Sequence, residues 1–184
     1  MKKMFVIFLL LSCIIGYSQS GYTVLNNDEY DQIKFGDTYF KDIKESNADI
    51  KILNDLVLNK ASLWKDNKAK KPNAVTIEIY GFEIGEPQRV FNYNSGLMIA
   101  FSDDSNNQKF EIGRLETNDI NINGVYLKIG DPISKLNSIE YVIDTGKNKH
   151  KFVSIIREDG YCSPISISLD SNNKISDIVY YVIP

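Results

Sequence analysis

Leu127-Lys128-Ile129-Gly130-Asp131-Pro132-Ile133-Ser134-Lys135 repeats, in residue type, the earlier stretch Ile33-Lys34-Phe35-Gly36-Asp37-Thr38-Tyr39-Phe40-Lys41. The two lie 94 residues apart. Each begins with alternating apolar residues, passes through Gly-Asp and runs on into a short amphipathic segment. That order predicts a strand, a tight turn at Gly36 or Gly130, a helix N-cap at Asp37 or Asp131, and a short helix. Pro132 would then occupy the first helical position, where its missing N–H costs nothing.

A second pair of stretches keeps the same order. Asp104-Ser105-Asn106-Asn107 recurs as Asp170-Ser171-Asn172-Asn173, each between apolar strand residues and each followed by a new strand. This offset is 66, so one copy carries about 28 extra residues. The excess falls within about residues 46–73, an insert whose Leu53, Leu56, Val57 and Trp64 fit a helical face. Ile50 and Ile52 fit a strand start equally well. Chance convergence of two Gly-Asp turns and two Asx-rich hairpins is the alternative to duplication.

Strand signals fill the rest. Val75–Ile79 alternates apolar and polar residues, as do Leu97, Ile99 and Phe101 after Asn94-Ser95-Gly96. Asn123-Gly124, between Ile120–Ile122 and Val125–Leu127, is the strongest hairpin signal, since both central positions of a type I′ turn need positive φ. The final strands are expected at Phe152–Arg157, Pro164–Leu169 and Ile175–Ile183. In the last of these, Ile178, Tyr180 and Val182 alternate with Val179, Tyr181 and Ile183, so both faces are apolar. Such a strand is either central and buried twice, or offers one face as a contact surface. The fold class is α+β: two tandem helix-plus-antiparallel-meander repeats with an insert in the first. The chain divides into a signal segment at 1–18, a first repeat at 19–119 and a second at 120–184.

Gly-Asp before a short helix, then a meander with an Asp-x-Asn-x-Lys hairpin, resembles the tandem fold of β-lactamase inhibitory protein and of related small outer-membrane-assembly lipoproteins. The resemblance spans about residues 33–184 and leaves the insert aside. It implies a protein-binding module. None of the inhibitor's binding residues can be carried over, and its paired cysteines are missing here.

The N-terminus supplies an address. Lys2 and Lys3 precede an apolar run from Phe5 to Ile15 that breaks at Gly16-Tyr17-Ser18-Gln19, the pattern of an export signal cut after Ser18. Its short form, ending in Ser-Gln, resembles signals of Bacteroidetes. A membrane-spanning helix would need roughly 20 apolar residues. Leu10-Leu11-Ser12-Cys13 also resembles a lipobox, in which Cys13 would be acylated, although Ile14 and Ile15 continue the apolar run. Removing residues 1–18 lowers the basic residues from 21 to 19 against 24 acidic, a net charge of −5. That balance argues against nucleic-acid binding, and contact with a membrane is expected only through a lipidated Cys13.

Catalytic signals are sparse, and no enzyme activity or cofactor is expected. His150, the only histidine, and Cys162, the only mature thiol, would sit roughly 20 Å apart on an extended strand, too far for a dyad. One His and one Cys do not make a zinc site. Asp103–Asn107 lacks the glycine and distal Glu of a calcium loop, and Asx residues suit a turn for local reasons. Glu83 and Glu86 form the one obvious carboxylate pair, the basis of a hydrolase reading on envelope polymers. No phosphate-binding or nucleophile-elbow motif is present.

A basic stretch around the single tryptophan remains: Lys60, Trp64, Lys65, Lys68, Lys70 and Lys71. On an acidic chain it could steer a partner with an acidic surface, with Trp64 as anchor. It reads equally as a solvated lysine face with Trp64 in the core. The expected function is an exported, non-enzymatic, periplasmic or envelope protein-binding module of the inhibitor or immunity type. A structural envelope-assembly lipoprotein anchored through Cys13 is the second reading.

Overall fold

The computed structural model describes residues 21–58, 75–77, 88–93, 95–104, 109–146, 148–159 and 164–182. The order of elements is β1 (Tyr22–Leu25), α1 (Asn27–Asp31), β2 (Lys34–Phe35), β3 (Thr38–Tyr39), α2 (Phe40–Glu45), α3 (Ile50–Leu58), β4 (Val75–Ile77), β5 (Gln88–Asn92), β6 (Met98–Asp104) and β7 (Lys109–Glu116). Then come β8 (Asp119–Ile122), β9 (Val125–Lys128), a 3-10 turn (Ile133–Lys135), β10 (Asp144–Thr145), β11 (Lys151–Arg157), β12 (Ile165–Leu169) and β13 (Ile175–Tyr181). Helices and sheets are mixed, so the protein is α+β.

Local chemistry sets the turns. Asn123 and Gly124 have φ of 49° and 82°, the positive pair that joins β8 to β9 as a two-residue hairpin. Between β12 and β13 the Asp170 side chain accepts the N–H groups of Asn172 and Lys174 at 2.8 and 2.9 Å. This is an Asx turn, completed by Asn173 at φ 57°. At α1 the Asn26 side chain accepts the Glu29 N–H while Glu29 accepts the Asn26 N–H, a capping box.

Among the described residues two sheets result. The large one has nine strands in the order β1-β11-β12-β13-β7-β6-β5-β4, with β10 pairing β11 beside β1. All its pairs are antiparallel except β1 with β11. Two meanders, β4 to β7 and β10 to β13, therefore meet through their last strands. There Leu115 lies opposite Tyr180 and Arg114 opposite Tyr181, and the Val182 N–H donates to the Gly113 carbonyl at 3.0 Å. The small sheet has the order β3-β2-β8-β9.

One hydrophobic core lies between the small sheet with its helices and one face of the large sheet. Ile99, Leu115, Ile155, Ile165, Ile167 and Ile178 enter it from the large sheet, all at 0 % exposure. Phe40 of α2 is its hub, with ring centroids 5.9 Å from Tyr30, 5.3 Å from Phe35 and 4.7 Å from Tyr180. It thus links α1, β2 and β13 through edge and tilted aromatic contacts.

Several expectations are corrected. Neither Asp37 nor Asp131 caps a helix. Gly36, at φ 60°, and Asp37 turn β2 into β3, and α2 begins only at Phe40 after Tyr39, which makes no side-chain cap. Gly130, at φ 90°, precedes an extended Pro132 that caps a single 3-10 turn in place of a helix. The reason is competition for backbone groups. Gly130 N–H donates to Ile175 O at 2.8 Å and Ile133 N–H to Asn173 O at 3.0 Å, so this segment lies along the β12–β13 hairpin. The Asp131 carboxylate instead turns back to the Lys128 N–H at 3.1 Å and Lys135 Nζ at 2.9 Å. Lys135 holds it below the usual carboxylate range.

Of the expected insert, Ile50–Leu58 is helical, with Leu53 buried and Ile50 and Ile52 outward. Residues 59–74 lie outside the described ones. β13 is central, between β12 and β7, and ends at Tyr181.

Replacing Phe40 with Ala removes the hub without touching the strands. The expected cost is about 3–5 kcal/mol by urea unfolding, and a loss below about 1 kcal/mol would mean that Phe40 does not join these elements.

Candidate functional site: the open face of the large sheet

Strand residues alternate between faces, so the register of the large sheet fixes which side chains share the face turned from the core. One row crosses seven strands: Tyr22, Ser154, Ser166, Val179, Glu116, Met98 and Asn92. The neighbouring row holds Val24 and Ile156 on one side, then Tyr181, Arg114, Ala100 and Val90. Val179 and Ala100 are buried, at 7 % and 4 % exposure, yet neither belongs to the core cluster.

The chemistry of these two rows is unusual for a sheet face that no described element of the core covers. The solvent side of an antiparallel sheet normally carries charged and polar residues. Here the charges in the two rows are Arg114 and Glu116, which pair at 2.6 Å with side chains 46 % and 38 % exposed. Val179 and Met98 flank Glu116, and Tyr181 and Ala100 flank Arg114, so the direct neighbours of the pair are uncharged. An exposed ion pair contributes about 0–1 kcal/mol, so Arg114 can exchange its partner at little cost. Arg and Tyr are the residue types on which interface energy concentrates. At the β1 end, Tyr22 and Val24 are 46 % and 52 % exposed, next to Val142, whose N–H donates to Thr23 Oγ1 at 3.4 Å.

The residues singled out from the sequence fall elsewhere. Cys13, Trp64, Lys65, Lys68, Lys70, Lys71, Glu83, Glu86 and Cys162 all lie outside the described residues. His150 is exposed, stacks on Phe152 at 6.3 Å and shares a hydrogen bond with Ser168 Oγ at 3.0 Å through Nε2. That distance suits a nucleophile and base, but among the described residues no group engages Nδ1 to orient the ring. Among the described residues there is also no cluster of His, Cys, Asp and Glu arranged to hold a metal, and no helix long and apolar enough to cross a membrane. Gly36, Asp37, Gly130 and Asp131 remain at turns and do not converge on the open face. Sequence reading missed Arg114 and Glu116. Their neighbours on this face come from other strands, so nothing in the local sequence marks them.

Away from this face, Asp119 carries an unfavourable charge. Burial raises its pKa above 3.8, against a hydrogen bond from Tyr126 that lowers it, while Asp37 adds repulsion. Tyr126 is pushed up to about 12 by burial and by that same bond.

No protein-family profile, curated protein or solved structure matches this chain.

Because folding raises the pKa of Asp119, its contribution is fully present below the ordinary value and is lost as pH rises through the folded one. Asp119→Asn should therefore flatten the decline in stability just above about pH 4 and leave the protein as stable or more stable at neutral pH. Urea midpoints across that range check this; a variant markedly weaker at neutral pH would show the carboxylate to be a net stabiliser.

Proposed function

We propose that this chain is an exported protein-binding module of the inhibitor or immunity type that docks its partner on the open face of the large sheet. The observation that carries the reading is that face: seven strands wide, with a single self-neutralised ion pair in its two central rows. Rows with so few charges lose little on desolvation, and Tyr181 and Arg114 stand in them as anchors, with Asp177 and Glu111 in the flanking rows as a charged rim.

Two tandem repeats form part of the proposal. The junction supports them: each meander contributes its last strand, β7 or β13, to a single antiparallel pairing in the middle of the large sheet.

Export rests on the N-terminal signal, and the processed N-terminus decides its form. Intact mass and terminal sequencing should find Gln19 first, cyclised to pyroglutamate; an acylated Cys13 would make the protein a lipoprotein and favour the envelope-assembly reading.

Docking is tested with envelope extracts and the full chain. A stoichiometric partner held by wild type, and by a Lys51→Ala control on α3, should be released about 30-fold or more by Arg114→Glu with Tyr181→Ala, as for a hot spot of at least about 2 kcal/mol. Recovery of no such partner, or undiminished retention, removes the proposal. Release by Trp64→Ala and Lys65→Ala alone would move the docking surface to the basic stretch.

A further inference from the structure

Asn123-Gly124 places a side-chain amide next to a backbone nitrogen that carries no neighbouring Cβ, the arrangement in which that nitrogen most readily attacks the side chain. In the fold, each reacting group is held by a different residue. Asn123 Nδ2 donates to Glu29 Oε1 at 3.2 Å in a partly buried contact, and the Gly124 N–H donates to Asn121 Oδ1 at 3.0 Å. The other Glu29 oxygen accepts the Asn26 N–H at 3.2 Å, closing the capping box of α1. One carboxylate therefore ties the start of α1 to a turn 94 residues away.

We infer that Asn123 is a self-modification site: its deamidation, restrained in the fold by Asn121 and Glu29, turns a latch on α1 into a like-charge contact that releases the helix. The Gly124 nitrogen loses its proton to solvent base and attacks Asn123 Cγ. The new N–Cγ bond closes a succinimide as the Cγ–Nδ2 bond breaks and ammonia leaves. Water then adds to one imide carbonyl and opens the ring to aspartate or isoaspartate. Water is consumed, ammonia is released and no oxidant is required.

To reach Cγ, the Gly124 nitrogen must leave Asn121 and the amide must leave Glu29, so the folded turn slows the first step. Gly124 is exposed, so water reaches the ring once it forms. The product removes a donor and sets an acceptor-only carboxylate against Glu29, itself acceptor-only. α1 has five residues and cannot stand by itself. Its other ties are Tyr30 in the aromatic group and Arg157, whose Nε donates to Asn27 Oδ1 at 2.6 Å. Weakening the Glu29 contact loosens the element that covers this end of β11.

The full chain tests both halves. Wild type and Asn121→Ala are held at mildly alkaline pH, and the peptide bearing Asn123 is weighed over time. The amide-to-acid mass change should accumulate several-fold faster in the variant; equal rates overturn the restraint. Amide hydrogen exchange at Tyr30, Gln32 and Ile33, whose N–H groups bond to carbonyls of Asn26 and α1, is then compared in three proteins. It should be several-fold faster in Asn123→Asp than in wild type. Adding Glu29→Gln should restore the wild-type rate, because an amide there donates to the new carboxylate. Unchanged exchange in the single variant, or equally raised exchange in the double, overturns the latch even if Asn121→Ala proves poorly folded.

Discussion

Backbone pairing between β7 and β13 is the constraint on which the rest of the molecule depends. Each meander alone would end in an open edge with unpaired N–H and C=O groups, an invitation to pair with other chains. Joining the two last strands removes both edges at once. It places β13 in the middle of the large sheet, where Ile178 and Tyr180 enter the core while Val179 is buried on the other face. The same pairing brings Tyr180 against Phe40, and through Phe40 it fixes α1 and β2.

The open face is a by-product of that junction. Helices and the small sheet occupy one side of the large sheet, and among the described residues the other side meets no element of the core cluster. Its two central rows combine side chains from strands as far apart in sequence as Tyr22 and Val179. The Arg114–Glu116 pair draws its surroundings from four different strands. An internally balanced pair among uncharged neighbours holds an arginine on this face without the long-range field that a lone cation would project.

Where local chemistry decides conformation, the sequence was legible. The Asn123-Gly124 hairpin, the Asp170 turn and the alternation of Ile165, Ile167 and Leu169 follow from backbone sterics, side-chain hydrogen bonding and the period of a strand. Reading stopped where distant backbone competes with local preference. Gly130-Asp131-Pro132 has the composition of a helix start, yet the hydrogen bonds offered by Asn173 and Ile175 hold it along a hairpin, and only one 3-10 turn survives. Asp37 likewise falls in a strand-to-strand turn because β2 pairs with β8, from more than eighty residues later in the chain.

The sequence by itself determined the α+β class, most strand positions, the tight turns and the ambivalence of the last strand, because each follows from residues within a few positions of one another. Tertiary structure decided that β13 is central, that Asp131 serves a turn and not a helix, and that Arg114, Tyr181 and Val179 share one face. Those outcomes depend on register between strands, a relation set by pairing over long separations that no local stretch encodes.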